Sequence, residues 1–197
     1  MHILHVISSP RTNSYSRRLG TAIIEKLQAA HPGSTAQERD LVVHPFPHLE
    51  EVGIQAFNSP VDQHTPDQQA ALRRSDEVIA EVQAADVLVV DAPFYNFGVS
   101  STLKAWIDHI SRAGVTFSYT ANGPKGLLSN KKVYVALASG GVYSEGPATG
   151  YDFVAPYLRV IFGFLGLSDV TIARVEGTAN PALEPHAIQK GLDSVSV

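Results

Sequence analysis

The chain is 197 residues long, with 44% hydrophobic and 17% charged side chains and a formal charge of −4. A chain of this size buries about 70% of its unfolded surface, which supports one self-sufficient core and excludes a disordered or coiled-coil protein. Cysteine is absent, which excludes thiol catalysis, thiolate metal sites and a disulfide framework, while mild acidity without a basic block argues against a nucleic-acid partner.

The first seven residues, Met-His-Ile-Leu-His-Val-Ile, read as an opening strand at 3–7 rather than a signal segment. The longest apolar stretch, at 160–167, is far short of the ~20 residues that cross a bilayer. One cytoplasmic domain over residues 1–197 is expected. Further strands are expected at 87–90, 133–137 and 170–175, with a weaker one at 35–41. Those at 87–90 and 133–137 are apolar almost throughout, as parallel strands covered on both faces must be.

Helices are expected at 14–30, 66–84, 100–113, 150–166 and 181–195. In the first, Leu19, Ile23 and Leu27 place one apolar stripe toward a sheet; in the second, Leu72, Val78, Ile79 and Val82 do so. Thr65-Pro66-Asp67 is an N-cap, a proline at the first helical position and an acid for the dipole. Gly114 and Gly166 fall where C′ glycines close helices. Residues 42–63, with Pro45, Pro47 and Pro60, read as one long connection. Strand and helix alternate five times without a repeat, which predicts an α/β domain with an open parallel sheet.

Ligands of open α/β sheets sit beyond the carboxyl ends of the strands. The first turn there, Ser8-Ser9-Pro10-Arg11-Thr12-Asn13-Ser14-Tyr15-Ser16-Arg17, lacks the glycine fingerprints of dinucleotide and nucleoside-triphosphate loops. It is dense in hydroxyls and runs into a helix N-terminus, where free N–H groups and the dipole attract anions. The turn therefore either cradles a phosphate or only supplies the helix cap. The third turn, Asp91-Ala92-Pro93-Phe94-Tyr95-Asn96-Phe97-Gly98, sets three aromatics and an amide between a proline and a glycine. Either these rings receive a flat ligand, or Phe94 and Phe97 plug the sheet end. The fourth turn, Ala138-Ser139-Gly140-Gly141-Val142-Tyr143, can bring backbone close to a ligand at the same sheet edge.

With these stretches in view, the chain resembles the FMN-dependent NADH-azoreductase / NADH:quinone oxidoreductase family, of flavodoxin-like fold, over nearly its whole length. The resemblance rests on Ala92-Pro93-Phe94-Tyr95-Asn96-Phe97, on Arg112-Ala113-Gly114-Val115-Thr116-Phe117, and on the runs Tyr119-Thr120, Asn122-Gly123-Pro124, Gly140-Gly141, Gly146-Pro147, Pro156-Tyr157-Leu158 and Gly163-Phe164. It implies a doubly wound five-stranded parallel sheet, order 2-1-3-4-5, with helices on both faces. It implies bound FMN, with Ser9, Ser14, Tyr15 and Ser16 at the phosphate and Phe94, Tyr95, Asn96 and Phe97 along the isoalloxazine. Ala138, Ser139, Gly140 and Gly141 would meet its pyrimidine edge. NADH or NADPH would donate hydride and a quinone or azo compound would accept two electrons at the same site, giving ping-pong kinetics. Two departures stand out. The family's fourth turn often carries an arginine where Ser139 stands, and the first turn is one residue shorter.

No metal site is expected, and the eight histidines are scattered. An electron-transfer flavodoxin and a flavin-binding regulatory protein are the competing classes. A homodimer is expected, with active sites at its interface and Tyr119 and Phe164 as lid aromatics that orient substrate together with Asn96. Trp106, Phe162, Phe164 and Leu165 exceed the apolar needs of one sheet face, which favours the dimer; a well-filled monomer core is the alternative.

Overall fold

The computed structural model describes residues 1–197. In chain order its elements are β1 (His2–Ile7), α1 (Tyr15–Ala30), β2 (Thr35–Asp40), α2 (Glu51–Phe57), α3 (Pro66–Ala84), β3 (Val87–Pro93), α4 (Ser101–Ile110), β4 (Phe117–Thr120), β5 (Gly123–Gly126), β6 (Lys132–Ala138), α5 (Val154–Phe164), β7 (Asp169–Val175) and α6 (Glu184–Asp193). Short 3-10 turns lie at Val61–Gln63 and Gly146–Tyr151.

The main sheet is parallel throughout, in the order β2-β1-β3-β6-β7, and β4 and β5 form a separate antiparallel hairpin. With the hairpin left out of the count, this is the expected 2-1-3-4-5 order of a flavodoxin-like sheet. The central strand β3 is buried at every position and β6 at all but its ends, which is why both are apolar nearly throughout. The edge strand β2 is Thr-Ala-Gln-Glu-Arg-Asp, and Arg39 on it pairs with Glu77 and Glu81 of α3. Its weak sequence signal follows from its place at the edge.

The helices pack in two layers. One face of the sheet carries α3, α4 and α5 around Trp106, Phe162, Leu158 and Leu103; the other carries α1 and α6 around Ile3, Leu19, Ile23 and Tyr134. Each large apolar side chain taken out of water here contributes roughly 1.5–3 kcal/mol before entropy is charged against it.

Several expected boundaries move, for local reasons. Ser14 caps α1, its Oγ accepting from Arg17 N–H, and Thr65 forms a full capping box with Gln68 on α3. On α3 the buried stripe runs Ala71, Ser75, Val78, Ile79 and Val82, with Leu72 only half-buried. Helix α4 ends at Ile110, three residues before the expected close. Gly114, at φ 78°, instead serves the turn leading into β4, where its N–H donates to the Phe117 carbonyl. The expected helix at 150–166 begins only at Val154, because Asp152 turns its carboxylate onto Ala155 N–H and stops the preceding 3-10 turn. Gly166 does stand after that helix at φ 97°. The connection 42–63 holds the short helix α2, and α6 is confined to Glu184–Asp193. The hairpin β4–β5 was not expected; its Gly123-Pro124-Lys125-Gly126 strand has almost no apolar pattern.

The surplus of aromatics is corrected. Trp106, Phe162 and Leu165 are fully buried in the core of the single chain, so they argue for packing and not for an interface. Of the apolar residues offered for a lid, Phe164 stays half-buried and Tyr119 is 75% exposed.

Candidate active site

Three turns leave the carboxyl ends of β1, β3 and β6 side by side. A cleft opens between them, and its walls include Arg11, Ser14, Ser16, Phe94, Ser139 and Thr178.

The first turn is organised by its hydroxyls. Ser8 is buried and donates from Oγ to the Asp91 carbonyl at 2.6 Å, which ties the turn to β3. Ser9, also buried, has its Oγ 3.3 Å from the Tyr95 hydroxyl and accepts from Arg11 N–H. Ser14 and Ser16 lie hydroxyl to hydroxyl at 3.2 Å. The N–H groups of Tyr15 and Ser16, in the first turn of α1, have no acceptor in the protein. Two free donors at the positive end of a 16-residue helix, flanked by two serine hydroxyls and Arg11, form a cradle that favours an anion. The capping reading holds, with Ser14 as the cap, and the free N–H groups of Tyr15 and Ser16 stay available to an anion.

Tyr15 lines this cleft and brings a free backbone N–H to the cradle. Its hydroxyl donates to Glu184 of α6 at 2.6 Å, and Arg18 lies over its ring. The Glu184 hydrogen bond, with burial second, raises the phenol above its usual range.

The third turn is a tight two-residue hairpin turn. Tyr95 and Gly98 exchange N–H···O bonds of 3.1 and 2.9 Å, and Asn96 and Phe97 between them stand at φ 48° and 63°. Left-handed φ at both central positions is the type I′ pattern, which favours Asn-Gly. A phenylalanine there is strained by about 1–3 kcal/mol. The N–H groups of Asn96 and Phe97 have no acceptor in the protein, and Phe97 is 48% exposed. Phe94 is half-buried against the core. Thus Phe94 does plug the sheet end while Phe97 does not.

The fourth turn is strapped by the chain after β7. Ser139 N–H donates to the Val175 carbonyl, Thr178 donates from N–H and Oγ1 to the Ser139 carbonyl, and Ala179 and Gly177 reach Gly140 and Gly141. The Ser139 hydroxyl turns back onto the Gly141 carbonyl at 2.8 Å. Backbone N–H groups of Gly140 and Gly141 remain free, so the turn offers main-chain donors to a polar ring edge. Phe94 N–H donates to the Ala138 carbonyl at 2.8 Å and locks the third and fourth turns together.

Ser9, Ser14, Tyr15, Ser16, Phe94, Tyr95, Asn96, Phe97, Ala138, Ser139, Gly140 and Gly141 therefore surround one sheet edge. Tyr119 and Phe164 do not join them; they meet through Phe117, 5.6 and 4.5 Å from their ring centroids, at the hairpin and the end of α5. Sequence reasoning assigned Ser8 no role of its own and offered no sign of Thr178, though each ties one of these turns in place. The strand-end rule, extended to the turn after β7, points to Thr178. No group of three histidine or acidic side chains is placed to hold a metal ion.

These residues fit a flat ring carrying a phosphate monoester: an anion cradle with free donors at one end, and aromatic and main-chain walls at the other. The comparisons agree. The flavodoxin-like fold family is matched over residues 1–196. An FMN-dependent NADH:quinone oxidoreductase of Herminiimonas arsenicoxydans is 51% identical over 178 residues, covering 90% of this chain and 87% of the relative. A crystal structure of azoreductase from Bacillus anthracis superposes with a TM-score of 0.91 at 30% identity, over 98% of this chain and 95% of that one. An FMN-dependent NADH-azoreductase from the same species, solved in complex with FMN, superposes with a TM-score of 0.86 at 26% identity, over 98% and 96% of the two chains.

Proposed function

The chain belongs to the flavodoxin-like-fold family of the FMN-dependent NADH:quinone oxidoreductases, and on that premise we propose a division of labour among its residues. The protein is an FMN-dependent NADH oxidoreductase that reduces quinones and azo compounds. FMN, when bound, supplies the two-electron redox chemistry between nicotinamide and acceptor.

The observation that carries the residue assignment is the pair of free N–H groups of Tyr15 and Ser16 beside the Ser14 and Ser16 hydroxyls. They hold the phosphate. Phe94, Tyr95 and Phe97 present aromatic area to the ring system. The free N–H groups of Asn96, Phe97, Gly140 and Gly141 face its polar rim, where added electron density is stabilised by fixed dipoles. The Asn96 side chain, exposed at the tip of the turn, orients nicotinamide and acceptor. Both substrates use this one cleft in turn, which requires ping-pong kinetics. An enzyme drawing on NADH works in the cytoplasm, where that donor is supplied. A second copy of the chain completes the site with Tyr119 and Phe164.

Anaerobic mixing of the FMN-loaded protein with NADH tests the reading. Rapid bleaching of the flavin, followed by reoxidation on adding a quinone, is expected. A flavin inert to NADH would return the protein to the electron-carrier or sensor class.

A further inference from the structure

Tyr143 lies outside every assignment above; its ring stands behind the cleft wall, against Phe94, which lines it. It stacks on Phe94 with centroids 4.3 Å apart and planes 15° from parallel. It meets Phe97 edge-on at 6.3 Å and 90°, and Phe97 in turn touches Tyr151 at 5.7 Å. Its other neighbour is Gly141. A Cβ built there would stand 3.2–3.3 Å from Cε2, Cζ and Oη of Tyr143, tighter than side chains normally tolerate. Gly141 has an ordinary φ, so the pressure against a side chain there comes from the ring, which would have to give by a few tenths of an ångström.

The chain on both sides of this ring is pinned by one ion-pair network. The Glu176 carboxylate accepts from the N–H groups of Tyr143 at 2.9 Å and Ser144 at 3.0 Å, and from the Ser144 hydroxyl. Arg174 donates to Glu176 at 3.1 Å and, through its other nitrogen, to Asp152 at 2.5 Å. One guanidinium thereby sets the loop of Tyr143 and the end of the turn bearing Tyr151. Pinning of this kind fits a positioned functional group.

The hydroxyl of Tyr143 makes no hydrogen bond within the protein; only its N–H does. Phenylalanine would pack on Phe94 equally well, so packing alone does not call for the O–H. Phe97 and Tyr151, 48% and 56% exposed, carry the aromatic surface outward from it, and an exposed surface of this kind marks a binding place.

Resting on the functional reading above, we propose that Tyr143 is the acceptor-selecting residue of this site. Its ring edge and that of Phe97 flank a flat electrophile, and its O–H donates a hydrogen bond to a carbonyl oxygen of a quinone-class acceptor. As the quinone takes up two electrons, charge grows on that oxygen, and the fixed donor stabilises it. The quinone becomes hydroquinone by gaining a hydride equivalent from the NADH-driven reaction and one proton from water. Tyr143 keeps its own proton.

The test uses FMN-loaded Tyr143→Phe and Tyr143→Leu proteins. It reads FMN affinity by fluorescence titration, binding of a non-reducible planar coumarin to the oxidised protein by flavin absorbance, and kcat/KM for benzoquinone against ferricyanide, which needs no stacking. For Tyr143→Phe we expect coumarin affinity and quinone kcat/KM to fall about tenfold, as for loss of one donor to a charging oxygen. FMN affinity should stay within twofold and ferricyanide reduction should lose far less than quinone reduction. Tyr143→Leu should lose more than Tyr143→Phe on both acceptor readouts. Coumarin binding and quinone reduction within twofold of the parent in Tyr143→Phe would overturn the proposal. So would a tenfold loss of FMN affinity, which would make Tyr143 a cofactor ligand. If the unaltered protein is not bleached by NADH, the functional reading fails instead, and the coumarin titration still decides the role of Tyr143.

Discussion

Gly20 of α1 lies directly against the carboxylate of Asp91 on β3. A Cβ on Gly20 would overlap Asp91 Oδ1 and come within 2.9 Å of His5 Nε2. The helix whose N-terminus offers the free donors therefore approaches the sheet over a buried polar pair, His5–Asp91 at 3.0 Å, with both side chains essentially inaccessible. The glycine costs roughly 0.5–1 kcal/mol of helix propensity, and the close approach it permits sets where the cradle stands. Gly20→Ala should destabilise the fold by about 1–3 kcal/mol or more, lowering Tm by ~2–4 °C per kcal/mol. Pairing it with Asp91→Ala should recover part of that loss. Thermal melts of the two single variants and the double variant check this, and strict additivity would sink the steric account.

The same pair makes stability depend on pH. Burial, opposed by the His5 hydrogen bond, raises the Asp91 carboxyl above its ordinary range, and one of its oxygens has no partner. The folded pKa thus exceeds the unfolded one. This carboxyl's contribution is fully present below the unfolded pKa of about 3.9 and is lost as pH rises through the folded value. Asp91→Asn, which keeps an acceptor for His5, removes that loss. Its stability relative to the parent should rise from pH 4 toward neutrality, as measured by urea denaturation at stepped pH. A pH-independent difference would show that Asp91 titrates normally.

At the cradle, the structure separates two serines that sequence treats alike. Ser14 is the helix cap, so Ser14→Ala should cost about 1 kcal/mol of stability as well as FMN affinity. Ser16 caps nothing, and its hydroxyl meets only that of Ser14. Ser16→Ala should weaken FMN binding about tenfold, consistent with loss of a donor to a charged group, with Tm almost unchanged. Flavin titration alongside thermal melting distinguishes the two; unaltered affinity in both variants would remove the phosphate from this turn.

The strained turn allows stability and function to be moved in opposite directions. Asn96 and Phe97 hold left-handed φ that glycine adopts freely. Phe97→Gly should leave the fold as stable or up to about 1 kcal/mol more stable, while FMN and acceptor binding weaken. Asn96→Gly should lower turnover more than flavin content without disturbing the turn, which Asn96→Ala would strain. If both glycine variants reduce quinone at the parental rate, these side chains only build the turn.

Much of this was legible in the sequence, and the failures have physical causes. Strands β3 and β6 are apolar because both their faces are covered, and the caps of α1 and α3 carry their own signatures, Ser14 and Thr65-Pro66-Asp67. The hydroxyl-rich first turn and the Phe94–Phe97 turn could be placed at one edge by the parallel topology alone. The hairpin β4–β5 could not, because its strands are held by one another and by close backbone docking of Gly126 on Gly166, not by an apolar period. The close of α4 was misplaced because Gly114 serves a turn instead. The His5–Asp91 pair was illegible, since a period-two pattern says which face a residue takes but not which neighbour it meets. Tyr143 lay in plain view within the fourth turn, and only the distance to Phe94 gave it weight.

In one chain, Tyr119 is 75% exposed on the hairpin, propped edge-on against Phe117, and Phe164 packs on the same ring. Neither lines the cleft at the strand ends, so if they orient substrate they do so over the cleft of a partner subunit. Sedimentation should give a species near twice 21.2 kDa, and Tyr119→Ala should retain FMN while changing preference among flat acceptors. Complementation makes the sharing itself measurable. An Asn96→Gly subunit lacks the turn amide and a Tyr119→Ala subunit lacks the lid ring. A heterodimer of the two places both defects in one site and leaves the other site intact. Random mixing makes half the dimers mixed, so the mixture should recover about a quarter of parental turnover above the residual of either variant. No recovery on mixing, or full activity in a monomeric protein at micromolar concentration, would mean that each chain closes its own site.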